Sequence, residues 1–167
     1  EALCLRILKE FPRALEVKYA HRALVEVLSM QKRWDEAIGA VKAFAAAFPN
    51  DEEPEDAAFV LLETLREEEY DYKRVGQIAT WLMESLPAYR MRPDVPKYVG
   101  GCNEYITKDF AAAARGYTVL MEKFADIVAA EDMQQALARV KMKADGKFPK
   151  EPAEKDEGAA GAMAQYL

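Results

Sequence analysis

The sequence predicts an all-α protein, an α-solenoid of about three and a half antiparallel helical hairpins. The first observation behind this is repetition. The stretch Trp34–Pro49 (WDEAIGAVKAFAAAFP) recurs as Tyr72–Pro87 (YKRVGQIATWLMESLP) and again as Phe110–Ala125 (FAAAARGYTVLMEKFA). An aromatic opens each copy, at even intervals of 38 residues from Trp34 to Tyr72 to Phe110. Ala37, Val75 and Ala113 then coincide, as do Phe44, Leu82 and Leu120, and next Phe48, Leu86 and Phe124. Pro49, Pro87 and Ala125 close the copies, and a further closing pair, Phe11-Pro12, lies near the start. A fixed period of this size marks a repeat array. The second observation is composition: 51% of the 167 residues are hydrophobic. Alanine, leucine, glutamate and lysine are abundant while β-branched runs are rare, which favours helix over strand.

Residues 1–10 read as the end of a helix, with Leu3, Ile7 and Leu8 on one face. Phe11-Pro12 stops it, because proline lacks an N–H and disfavours helix in the residue before it. Residues 13–31 form an amphipathic helix carrying Ala20, Ala23, Leu24, Val27 and Leu28 at three- and four-residue spacing. A short turn (QKR) leads into the Trp34 helix, where Asp35 and Glu36 suit the positive end of the dipole. Its apolar stripe is Ala37, Ile38, Val41, Phe44 and Phe48.

The second unit opens with the acidic run from Asn50 to Asp56, where Pro54 fits a first helical turn. Ala58, Leu61, Leu62 and Leu65 follow as the apolar face, and Asp71 is placed to cap the Tyr72 helix. In the third unit Arg90–Pro96, with two prolines, is expected to be an extended loop. A helix over 95–107 is expected to be interrupted at Gly100-Gly101, glycines that fit the close approach of a neighbouring helix better than a phosphate loop. Its partner covers 109–124. A last helix over 126–145 places Ile127, Met133, Leu137 and Val140 on one side and closes the array. The segmentation is thus 1–12 (the end of a truncated repeat), repeats 13–49, 50–87 and 88–125, a closing helix 126–145 and a polar tail 146–167. AAGAMAQYL within the tail fits a loose terminal helix. Without a start methionine or signal peptide, the sequence is expected to begin inside a longer protein.

A formal net charge of -6 argues against nucleic acid, whose phosphates call for a basic face. Cys4 and Cys102 lie far apart and form neither a disulfide framework nor a zinc pattern. No apolar run approaches the roughly 20 residues needed to span a bilayer. His21, the one histidine, has no second ligand at helical spacing and reads as a packed or surface residue. Glu67-Glu68-Glu69 reads as a solvated acidic surface that a nearby Lys or Arg or a basic partner would relieve, because it sits at the negative end of its own helix. No serine lies in a nucleophile elbow. No catalytic residues, metal ligands or cofactors are expected.

Paired amphipathic helices with Trp34-x-x-Ala37 and a closing Pro49 resemble the tetratricopeptide repeat. Leu24, Val25 and Leu28 fall where the first helix of such a repeat presents its large apolar residues, and the resemblance covers about residues 13–125. The period is longer than in that family. Val25 stands where its first-helix glycine would be, Val75 replaces alanine, and Ala125 replaces proline. The AFP- and SLP-type endings look most like the cell-envelope branch of bacteria, which includes outer-membrane assembly lipoproteins and Tol–Pal coordinator proteins.

The resemblance implies a right-handed solenoid whose first helices line a concave groove for a peptide or partner helix of another protein. Carried over by position, the groove residues are Arg22, Glu26 and Ser29, then Val60, Thr64 and Glu67, then Tyr98, Cys102 and Tyr105. A one-residue slip would bring up His21, Phe59 and Glu63 instead. Tyr98 and Tyr105 offer contact area with a polar tip, and packing inside the core is the other reading of both. The expected function is a non-catalytic protein-binding scaffold. Two alternatives stay open: a structural subunit of a larger cell-envelope assembly, and an accessory segment of an enzyme whose catalytic part lies upstream.

Overall fold

The computed structural model describes residues 1–12, 14, 16–86 and 91–147. Every regular element among them is helical. The chain divides into two compact units, Glu1–Glu69 and Tyr70–Leu167.

The first unit holds α1 (Ala2–Glu10), α2 (Val17–Met30), α3 (Trp34–Ala47) and α4 (Glu53–Glu67). α1 packs on α2, α2 on α3 and α3 on α4, and α2 also meets α4 directly. The half-buried side of α1 is Cys4, Ile7 and Leu8, whereas Leu3 faces solvent. α2 begins at Val17 rather than at 13, and buries Val17, Ala20, Leu24, Val25 and Leu28. Its end is a Schellman motif. The Lys32 N–H donates to the Ser29 carbonyl and the Arg33 N–H to the Leu28 carbonyl, with Lys32 in the left-handed region at φ 56. α4 starts with Pro54 in its first turn, where a missing N–H leaves no helical bond unmade. Ala58, Leu61, Leu62 and Leu65 are all buried.

The second unit holds α5 (Tyr72–Ser85), α6 (Asp94–Cys102) continuing into a π-helical turn (Asn103–Thr107), α7 (Phe110–Lys123) and α8 (Ala130–Ala144). These pack in sequence, α5 on α6, α6 on α7 and α7 on α8. The Asp71 carboxylate accepts the Arg74 N–H at 3.1 Å and caps α5. Asp109 does the same for α7 through the Ala112 N–H at 2.9 Å.

Three aspects of this unit differ from the sequence reading. α6 begins at Asp94, with Pro96 tolerated in its first turn; of the expected loop, residue 90 lies outside the described residues. The helix runs through Gly100-Gly101, and its irregularity is the π turn at its end. α8 begins only at Ala130, because the Ile127 and Val128 N–H groups turn back onto the Phe124 carbonyl. Ile127 is therefore exposed, and the buried stripe of α8 is Met133, Ala136 and Val140. Residues 148–167, including the expected terminal helix, lie outside the described residues.

The repeated stretches become three helices of 14 residues each. Trp34, Tyr72 and Phe110 are their first residues. Ala37, Val75 and Ala113 are fully buried, and so are Phe44, Leu82 and Leu120 to within 1%. Phe48, Leu86 and Phe124 are the residues at which the helices end.

Glycines set the spacing in the second unit. A Cβ on Gly100 would lie 2.3 Å from the Tyr117 ring, and one on Gly116 would lie 2.5 Å from the Gly100 nitrogen and 2.7 Å from the Pro96 oxygen. α6 and α7 thus approach backbone to backbone, as expected for Gly100. Gly76 on α5 brings Cys102 equally close, at 2.8 Å from where its Cβ would be.

Candidate functional site

α2 and α4 each present one stripe of side chains to a cleft of about 550 Å³ in the first unit. From α2 come Arg22, Val25, Glu26, Ser29 and Met30; from α4 come Asp56, Ala57, Val60, Leu61 and Thr64, with Glu68 just beyond its end. Steps of three and four residues put each set on one face of its helix. Trp34, at the start of α3, also lines the cleft.

The floor is apolar. Val25 and Leu61 form it from the core side. Met30 at 85% and Val60 at 68% exposure add apolar surface that the unit's own packing does not use. Ser29 and Thr64 occupy matching places: each hydroxyl donates to the carbonyl four residues back, Val25 at 2.8 Å and Val60 at 2.9 Å. Their oxygens keep acceptor capacity toward the cleft.

The rim is charged. Arg22 pairs with Glu26 at 3.1 Å and Lys32 with Glu69 at 2.6 Å. The Glu69 hydrogen bond and charge hold the Lys32 ammonium above its usual range. Lys18 bridges Asp51 at 2.6 Å and Glu53 at 2.8 Å, and these two hydrogen bonds raise its pKa. The second Glu53 oxygen, Oε2, is buried and has no protein donor.

Of the groove positions carried over by resemblance, Arg22, Glu26, Ser29, Val60 and Thr64 come together in this cleft. Glu67 does not line it. The α4 stripe continues from Thr64 to Glu68, while Glu67 turns to Arg66. Lys32 and Arg66 thereby relieve the acidic run at the end of α4. The alternative register lies elsewhere. His21 stacks on Phe44 with centroids 5.2 Å apart and meets Phe48 edge-on, Phe59 is buried, and Glu63 pairs with Arg66 at 2.6 Å. Burial lowers the pKa of His21 below its usual value, as suits a ring packed between two phenylalanines.

In the second unit the three positions carried over are not open surface. Tyr98 is buried, and Cys102 is fully buried against Gly76. Burial pushes the Cys102 thiol up to about 12. Tyr105 is half-buried and its hydroxyl accepts from Arg139 at 3.0 Å. The close helix approach leaves these side chains in packing contacts.

The sequence reading gave no role to Glu104, which is 0% exposed. The Arg139 guanidinium grips its carboxylate from Nε at 2.6 Å and Nη2 at 2.9 Å. The Tyr117 hydroxyl donates at 2.9 Å and Lys143 stands at 3.4 Å. Burial alone would push this carboxyl up, but Arg139, Tyr117 and Lys143 together outweigh it and hold Glu104 below the usual carboxylate range. The π turn brings it inward. One extra residue in a helical turn rotates the succeeding side chains by about 100° relative to a regular helix. Asn103 stays inside as well, its amide donating to the Val99 carbonyl at 2.9 Å while its oxygen accepts from Thr107 at 2.8 Å.

Among the described residues, no group of three or more metal-ligating side chains gathers, and no helix is long and apolar enough to cross a membrane. No protein-family model, curated protein or solved structure matches the chain.

Proposed function

We propose that this chain is a non-catalytic protein-binding scaffold, a solenoid of antiparallel hairpins of the tetratricopeptide type that holds a peptide or partner helix in a groove. The observation that carries the reading is the α2–α4 cleft. Two helices separated in sequence by α3 pack side by side and aim matching stripes at one apolar-floored cleft. A stacked array, in which the first helix of each hairpin lies beside the first helix of the next, accounts for that pairing. The equal lengths and matching buried positions of α3, α5 and α7 support the same repeat reading. Exposed Met30 and Val60 within a charged rim fit a surface kept for a partner.

The test is photo-cross-linking in native lysate, with a benzophenone side chain at Val60 in the cleft and, as control, at the exposed Lys42 on α3. A partner captured from position 60 and absent from position 42 supports the groove. Identical capture from both positions sets it aside.

A second reading, permanent docking inside a larger assembly, draws on α1. That helix has no buried residue and exposes Leu3 and Leu5, with Phe11 exposed at its end. Leu3→Ser/Leu5→Ser substitution that turns a self-associating chain into a monodisperse one, measured by light scattering, supports that reading. Monodisperse behaviour of the unsubstituted chain counts against it.

A further inference from the structure

We draw no further inference here: the strongest candidate, the apolar floor of the α2–α4 cleft with exposed Met30 and Val60, belongs to the site already described, and nothing in the structure shows what covers it.

Discussion

Removing either side of the Glu104–Arg139 pair should destabilise the second unit, but by unequal amounts. Glu104 has no access to water, whereas the Arg139 side chain is 30% exposed. In Arg139→Met the carboxylate keeps the Tyr117 hydroxyl at 2.9 Å and Lys143 at 3.4 Å but loses its bidentate partner. Breaking a buried pair in this way costs about 3–5 kcal/mol. In Glu104→Gln the guanidinium keeps the Tyr105 hydroxyl as an acceptor and can rehydrate through its exposed edge, so the loss is nearer about 1–3 kcal/mol. The assay is urea unfolding followed by Trp81 emission, since Trp81 lies in α5 of the same unit.

Acidity separates this from general loss of packing. In the native chain the Glu104 carboxyl titrates below its ordinary 4.5, so its stabilisation is complete above that pH and lost as the pH falls through the folded value. Without Arg139, burial dominates and raises the carboxyl above 4.5. The folded variant then takes up a proton before the unfolded one and regains stability as the pH falls toward 4.5. The gap between native chain and Arg139→Met should therefore narrow from neutral pH to about pH 5. A gap that stays constant or widens, or a Glu104→Gln loss as large as that of Arg139→Met, would refute the reasoning.

Burial and packing lead to further expectations. Gly116→Ala should destabilise the second unit by about 1–3 kcal/mol or more, because backbone atoms of Gly100 and Pro96 would have to give way. Gly39→Ala, with nothing within 4 Å of the new methyl, should stabilise the first unit by about 0.5–1 kcal/mol; urea midpoints check both. A thiol reagent combined with mass spectrometry should modify half-buried Cys4 in the folded chain and reach Cys102, with its thiol pushed up to about 12, only on unfolding. Because burial depresses the pKa of His21, its contribution should be complete above about 6.5 and be lost as the pH falls toward the folded value. Trp34-monitored stability should fall across that window, and His21→Phe should remove the histidine's part of the slope.

Helix positions in this chain are legible because spacing and stop signals are local. Trp34, Tyr72 and Phe110 begin their helices because each leads an apolar stripe at helical spacing and is preceded by a turn. Asp71 caps α5 through a bond three residues long, which a sequence displays directly. Glu104 was not legible. Its burial needs Arg139, Lys143 and Tyr117 from two other helices, and nothing near residue 104 foretells them. The π turn is equally hidden, since Asn103, Thr107 and Val99 form a bonding pattern that the residue types permit but do not demand. Ile127 was misplaced because its spacing to Met133 tolerates a helix, while the Phe124 carbonyl captured the intervening chain as turns.

The same projection of first-helix positions opens onto a cleft in one unit and into packed side chains in the other, and the difference lies in the small residues. α2 carries Val25 at its contact with the neighbouring helices, and α4 presents Ala57 and Leu61 beside it. Side chains of that size hold helix axes apart, about 8–10 Å for ordinary packing. Arg22, Glu26, Val60 and Thr64 then remain on open faces. α6 instead carries Gly100, and Gly76 and Gly116 stand on the helices either side, so both neighbours close onto it. Tyr117 fills the space where a Gly100 side chain would be, and its hydroxyl then lies beside Glu104. A buried carboxylate needs a cation, which Arg139 of α8 provides, and Tyr105 accepts from the same guanidinium. Three glycines thus convert what would be a row of exposed side chains into the core and the ion-paired seam of the second unit. An open cleft in the first unit and a closed core in the second are two outcomes of similar helical patterns, selected by how near the backbones are allowed to come.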